Sequence, residues 1–252
     1  MSQSPLSATG FQDSVVLVTG AAAGIGLAIA RMFAERGAKL FLIDRDEKIG
    51  AVAADLGPHH RAMRLDVRED DCGERAVAAT LDAFGRLDIL INNVGIGPLA
   101  PAEDYPLDLW DATMSINLRS AFLFAKAAAE PMFRQGYGRI VNMSSQAATI
   151  GIEGHVAYCT SKAGILGMTR CMALEWGRRG VTVNALSPTV TETELGLMSW
   201  GGEKGVQTRA AIPVGRFAKP EEVAEAVLYL ASPQAAMVNG ANLAIDGGYT
   251  IR

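Results

Sequence analysis

Short, wholly apolar runs alternate along the chain with longer segments in which apolar residues recur every three or four positions. "SVVLVT" is followed by "IGLAIARMFAERG", "KLFLID" by "EKIGAVAADLG", and "RAMRLDV" by "DDCGERAVAATLDAFG", after which comes "LDILINN". Runs that are apolar throughout suit strands covered on both faces, and the three-to-four spacing suits helices with one buried stripe. The second half continues with a helix over 117–135, the strand "RIVNMS", a helix carrying Tyr158, the strand "VTVNALS", a helix from Pro220 and the strand "ANLAID". Strands separated by helices predict an α/β fold. It is a doubly wound parallel sheet of about seven strands in three αβα layers, one domain over 1–252. The long segment 188–219 has no clear period and reads as a substrate lid, since long loops in compact domains usually serve function.

At 49% hydrophobic and 20% charged residues, the chain can bury a full core. Its net charge of -4 and its scattered Lys and Arg exclude a nucleic-acid surface. Cys72, Cys159 and Cys171 show no CxxC spacing, so neither a disulfide framework nor a metal site is expected. "MSQSPLSATGFQDS" lacks a basic start and an apolar core, and no run is long enough to span a bilayer. These features point to a cytoplasmic protein without a membrane partner.

"VLVTGAAAGIGLAIA" sets Gly20, Gly24 and Gly26 between the first strand and the first helix. Such a stretch is either a tight turn or a Rossmann-like phosphate cradle, where a pyrophosphate meets the free N–H groups of a helix start. The order strand, glycines, helix favours the cradle, as does Asp44 closing the second strand 18 residues after Gly26. An acid there accepts hydrogen bonds from ribose hydroxyls and repels a 2'-phosphate, which favours NAD over NADP, with Arg45 next door as the opposing feature. Asp66 in "RLDV" either meets the adenine amino group or caps a turn or helix.

Tyr158 and Lys162 in "YCTSK" stand one helical turn apart. A tyrosine is a poor base near neutrality unless a cation stabilises its phenolate, and Lys162 offers one; the alternative is an exposed polar pair. Ser145, 13 residues before Tyr158, ends a strand in "RIVNMSSQ" and is either a substrate hydrogen-bond donor or a turn residue.

"TGAAAGIG", "LDV", "NNVG", Asn117 in "SINL", Ser145, "YCTSK" and "PVGRFAKPEEVA" followed by "IDGG" occur in order over nearly the whole chain. On these motifs the sequence resembles the single-domain form of the short-chain dehydrogenase/reductase family. The resemblance implies that Tyr158 is the general acid/base and that Ser145 positions the substrate oxygen. It further implies that Lys162 lowers the tyrosine pKa and binds ribose, and that Asn117 holds a water in the proton relay. It places the cofactor against Gly20, Ala23, Gly24, Ile25, Gly26, Asp44, Asp66, Val67, Asn93 and Gly95, and its nicotinamide end against Tyr158, Lys162, Pro188, Thr191 and Thr193. Two departures stand out: valine in "NNVG" and Thr189 in "SPTVTETEL", where the family usually has alanine and glycine.

The substrate is expected near Ser145, Gln146, Glu153, His155, Tyr158, residues 95–98 and the lid stretch "TETELGLMSWGGEKGVQTR" over 191–209, with Trp200. His155 is otherwise a surface or turn residue, and Trp200 otherwise an anchor for the lid. "NALSPTVTETELG" with a later tryptophan, "IPVGRFA" and "NGANLAIDGGYTI" resemble the sugar-alcohol branch, which includes threitol, arabinitol and galactitol enzymes. The expected reaction moves hydride between a small polyol and NAD, yielding a ketone. The alternatives are a carbonyl or 3-oxoacyl thioester reductase, whose acidic carrier would need Arg134, Arg139, Arg178 and Arg179 to cluster, and a non-catalytic NAD-binding sensor or scaffold. Broad apolar faces on "INLRSAFLFAKAAAEPMF" and "AGILGMTRCMALEW", together with the resemblance, imply a homotetramer.

Overall fold

The computed structural model describes residues 10–252; Met1–Thr9, on which part of the leader reading falls, lie outside them. The strands are β1 (Val15–Thr19), β2 (Lys39–Asp44), β3 (Arg61–Arg64), β4 (Ile89–Asn92), β5 (Gly138–Met143), β6 (Val181–Pro188) and β7 (Asn242–Ile245). They form one sheet in the order β3-β2-β1-β4-β5-β6-β7, and every pairing is parallel. The chain steps outward from β1 to β3, then returns to lay β4 on the other side of β1. This reversal opens a crevice at the carboxyl ends of β1 and β4, where open α/β sheets bind ligands.

Helices cover both faces, which explains the unbroken apolar strands. Helices α1 (Gly24–Glu35) and α9 (Pro220–Ala231) pack one face with Ile29, Phe33 and Val227 against Val16, Val18 and Leu40. On the other face α3 (Cys72–Phe84), α5 (Ser120–Gln135) and α6 (Val156–Trp176) bring Val77, Phe124 and Met172 onto Leu17, Leu90 and Val183. The short α2 (Ile49–Leu56) lies beside β2 and β3.

Three expectations are corrected. β3 ends at Arg64, so Leu65, Asp66 and Val67 leave the sheet and turn toward the crevice instead of extending the strand. The helix read from residue 117 begins earlier, as α4 (Leu107–Met114), and passes through a π turn at Ser115–Arg119 before α5. The widened turn breaks the 3.6-residue period, which is why the pattern seemed to start there. The segment 188–219 is not irregular: it holds α7 (Glu194–Ser199) and α8 (Gly202–Ala211), each too short or too polar to show a periodic stripe. Among the described residues no helix is long and apolar enough to cross a membrane.

Candidate active site

At the nucleotide end, α1 starts at Ala23 with no side-chain cap and no acid in its first turn, so its amide groups and positive dipole end face the crevice. Asp44 closes β2 and accepts the Ala22 amide at 2.9 Å and the Asp46 amide at 3.0 Å, leaving its remaining lone pairs toward the cavity. A cleft of about 490 Å³ is lined by Gly20, Ala23, Gly24, Ile25, Asp44, Asp66, Val67, Asn93, Gly95 and Thr193. An uncapped helix start beside a cleft-lining carboxylate fits a dinucleotide. Arg45, opposite in effect to Asp44, lines the same cleft.

Two residues of this set play other parts. Gly26 does not line the cleft: a Cβ there would stand 2.1 Å from the Gly20 carbonyl oxygen, so glycine serves the packing of α1 onto the end of β1. Asp66 is a turn residue that also faces the cleft; its carboxylate accepts the Arg68 amide at 2.9 Å, and the Arg68 guanidinium holds it below the usual carboxylate range.

Next to this cleft lies a second cavity of about 300 Å³, lined by Ser145, Gln146, His155, Tyr158, Lys162, Pro188, Thr191, Thr193 and Trp200 among others. The end of β5 delivers Ser145. Its Oγ accepts the Ala147 amide at 3.2 Å, which leaves the hydroxyl hydrogen to donate into the cavity. Ser144 donates to the Lys162 carbonyl at 3.0 Å, fastening β5 to α6 and fixing Ser145 relative to Tyr158. Burial pushes the Tyr158 phenol above its ordinary value, while the Ser145 hydroxyl beside it pulls the other way.

Lys162 is buried and donates to the Met143 carbonyl at 2.8 Å; desolvation lowers its ammonium to about 8. Its Nζ is 5.6 Å from the Tyr158 ring centroid. In this arrangement burial governs both groups, raising the tyrosine and lowering the lysine.

Asn117 sits in the π turn and lines neither cavity. Its Oδ1 accepts the Ile96 amide at 2.8 Å, and its Nδ2 donates to the Ile96 carbonyl at 2.8 Å and to Ser161 at 3.0 Å. Both amide hydrogens are committed, so the side chain clamps the segment after β4 against α6.

His155 precedes α6 and is buried in the cavity wall. Its Nδ1 lies 2.8 Å from the Glu153 carbonyl, which can only accept, so Nδ1 carries a hydrogen. The ring stacks on Trp200 at 6.3 Å and 18°. Trp200 also packs on the cluster of Val190, Ile212 and Phe217, so it both caps the pocket and anchors segment 188–219. Glu153 and Pro98 do not line the cavity, whereas Thr189 and Lys204 do. Thr189 stands out in the sequence only as a departure from glycine, and Lys204, whose Nζ lies 4.3 Å over the Trp200 ring, only as one residue of the segment 191–209 expected around the substrate.

The chain as a whole has counterparts among known proteins. A family model described as enoyl-(acyl carrier protein) reductase matches residues 20–250. The chain belongs to the short-chain dehydrogenase/reductase family. It is 50% identical to a D-threitol dehydrogenase of Mycolicibacterium smegmatis, over 94% of this chain and 93% of that one. It is 46% identical to an NAD-dependent glycerol dehydrogenase of Listeria innocua, over 95% of each. Among solved structures it is similar, with a TM-score of 0.92, 34% identity and coverage of 98% and 100%, to a candidate NAD(P)-dependent gluconate 5-dehydrogenase from Beutenbergia cavernae with NADP bound at low occupancy. As a member of this family it is an oxidoreductase of alcohol and carbonyl groups that uses a nicotinamide cofactor.

Of the arginines that an acidic carrier would need, Arg139 is buried, whereas Arg134, Arg178 and Arg179 are exposed, and Arg134 and Arg179 share Glu130 at 3.5 and 3.9 Å. Among the described residues no group of three His, Cys, Asp or Glu side chains is placed to hold a metal ion.

Proposed function

We propose that the protein is an NAD-dependent polyol dehydrogenase that oxidises a secondary hydroxyl of a small sugar alcohol to a ketone, and reduces the ketone in reverse. The observation that carries this reading is the convergence of Ser145, Tyr158 and Lys162 on one cavity continuous with a cleft that ends at Asp44. The threitol and glycerol relatives support the substrate class, and Asp44 supports NAD.

When bound, NAD supplies the hydride acceptor. Gly20, Ala23, Gly24 and Ile25 would hold its pyrophosphate, and Asp44 its adenosine ribose. Asp66 and Val67 would face the adenine, Asn93 and Gly95 the neighbouring sugar. Pro188, Thr191 and Thr193 would border the nicotinamide. Thr193 Oγ1 accepts the Gly196 amide at 3.0 Å and keeps its hydroxyl hydrogen to donate to the cofactor.

Ser145 donates to the reacting oxygen and the Tyr158 phenolate takes its proton. Lys162, with one hydrogen on Met143, has two left for a ribose hydroxyl and for the relay that returns the proton to solvent. Asn117 contributes to that relay only through its oxygen atoms, its amide hydrogens being spent.

We further place the enzyme in the cytoplasm as a homotetramer. An apolar groove between α5 and α6, lined by Leu118, Phe122, Gly164 and Met168, would lie at one of its interfaces. The deciding experiment follows NADH formation with NAD or NADP and a panel of tetritols, pentitols and hexitols, with Tyr158→Phe as control. Tyr158-dependent turnover of a polyol with NAD supports the reading. Turnover of carbonyl compounds alone, with NADPH, replaces it with the reductase alternative.

A further inference from the structure

Most buried polar atoms of the substrate cavity are satisfied within the protein. Ser145 accepts from Ala147, Lys162 donates to Met143, and His155 is bonded to Glu153. Two are not: Gln146 Oε1 and Thr189 Oγ1 are buried and have no hydrogen-bond partner among the described residues. Both residues line the same cavity, and both are more than nine-tenths buried, at 4% and 7% exposure.

The main chain of both residues is held by hydrogen bonds of its own. Gln146 begins a short helical turn, and its carbonyl accepts from the Thr149 and Ile150 amides and from the Thr149 hydroxyl. Thr189 leaves β6 with its amide on the Ile245 carbonyl at 3.1 Å, and its own carbonyl accepts the Thr191 hydroxyl at 3.2 Å. Buried polar atoms are rarely left unpaired, and each that is costs about 1–3 kcal/mol. Such a pair in a cavity wall marks a place where a ligand completes the bonding.

The chemistry of the pair narrows that ligand. An amide oxygen requires a donor, whereas a threonine hydroxyl both donates and accepts. A methylene satisfies neither, and a carbonyl oxygen cannot satisfy the amide oxygen. A ligand hydroxyl satisfies both, donating to one and accepting from the other.

We propose that Gln146 and Thr189 together bind a second hydroxyl of the substrate, next to the carbinol held by Ser145 and Tyr158, and so select vicinal diols over singly hydroxylated alcohols. This rests on the alcohol-oxidising reading above and adds to it a specificity site whose second member lies at the position where the family's usual glycine is absent. A simple 3-oxoacyl chain, lacking a second hydroxyl, would leave both atoms unpaired.

The test compares kcat/KM for vicinal butanediol and sec-butanol in the wild type, Thr189→Val, Gln146→Met and the double variant. A site built around a hydrogen bond discriminates against ligands lacking it, so the wild type should favour the diol by at least roughly tenfold. Each single variant should reduce that ratio by roughly tenfold or more, and the double variant by little more than either, because both side chains hold one hydroxyl. Melting temperatures should be unchanged or higher, since each substitution removes a buried unpaired group.

Equal wild-type activity on the two alcohols, or an unaltered ratio in both variants, overturns the inference while leaving alcohol oxidation intact. A raised KM for NAD with an unaltered ratio in Thr189→Val assigns that hydroxyl to the cofactor and also overturns it. Failure to oxidise any alcohol, simple or polyhydric, removes the underlying reading and the inference together.

Discussion

The buried Lys162 ammonium holds the Met143 carbonyl at 2.8 Å, the one protein hydrogen bond of a cation inside the site. Desolvation lowers its pKa from 10.5 to about 8, so below pH 8 the folded state carries a charge it would rather lose. The shift corresponds to roughly 3 kcal/mol. Lys162→Met should therefore leave the protein inactive yet as stable as the wild type or more so at pH 7. Because the folded pKa lies below the unfolded one, the wild type should gain on the variant as pH rises from about 8 to 10.5. Denaturant unfolding of both proteins at pH 7 and at pH 10 measures this; a stability difference that stays constant with pH would remove the argument.

Burial raises the Tyr158 phenol, so it stays protonated near neutrality. Oxidation requires the phenolate and reduction the phenol. The kcat/KM for alcohol oxidation should therefore climb with pH well into the alkaline range, while that for ketone reduction falls over the same range. Tyr158→Phe should lose roughly 10²–10⁴-fold in kcat with cofactor affinity retained. Stopped-flow turnover and a cofactor titration by fluorescence separate the two effects.

Asp44 has a structural duty beside the ribose contact proposed for it, since the Ala22 and Asp46 amides both rest on its carboxylate. Asp44→Ala should cost about 1–3 kcal/mol of stability by leaving these donors unpaired. It should also erode the preference for NAD, as Arg45 then dominates that end of the cleft. Thermal melts, with kcat/KM for each cofactor, report the two effects independently.

Removing the indole in Trp200→Ala takes away the ring on which His155 stacks and the anchor of segment 188–219 in the Val190, Ile212 and Phe217 cluster. The loss falls on the pocket wall, not on the proton-transfer groups. KM for the alcohol should rise roughly tenfold with a smaller change in kcat, as for loss of a buried aromatic contact of about 1–2 kcal/mol. Steady-state kinetics at saturating NAD checks this; a fall in kcat alone would place Trp200 in a different role.

The sheet was readable because strands covered on both faces are apolar throughout, as with the five buried residues of β1. The grouping of Ser145, Tyr158 and Lys162 was readable because two short motifs carry it. The π turn at Ser115–Arg119 was not, since it interrupts the only period from which a helix is read. The particular residues of the pocket's far wall were also hidden. Thr189 and Lys204 reach it through the fold of a segment whose two helices are too short to leave a pattern. The direction of the Tyr158 shift depends on burial, which a pair of letters four positions apart does not reveal.

The contact at Gly26 bears on how this sequence can vary. A Cβ at that point would stand 2.1 Å from a main-chain oxygen that no side-chain movement can displace. Gly24, two residues earlier, is constrained by its backbone angle of φ 56° and meets only a threonine methyl at 3.3 Å, a conformation that asparagine also tolerates. Seen as information, position 26 has an alphabet of one letter and position 24 a slightly larger one. Drift in the cradle would thus begin at the residue nearer the phosphate, while the one that only lets helix meet strand stays frozen.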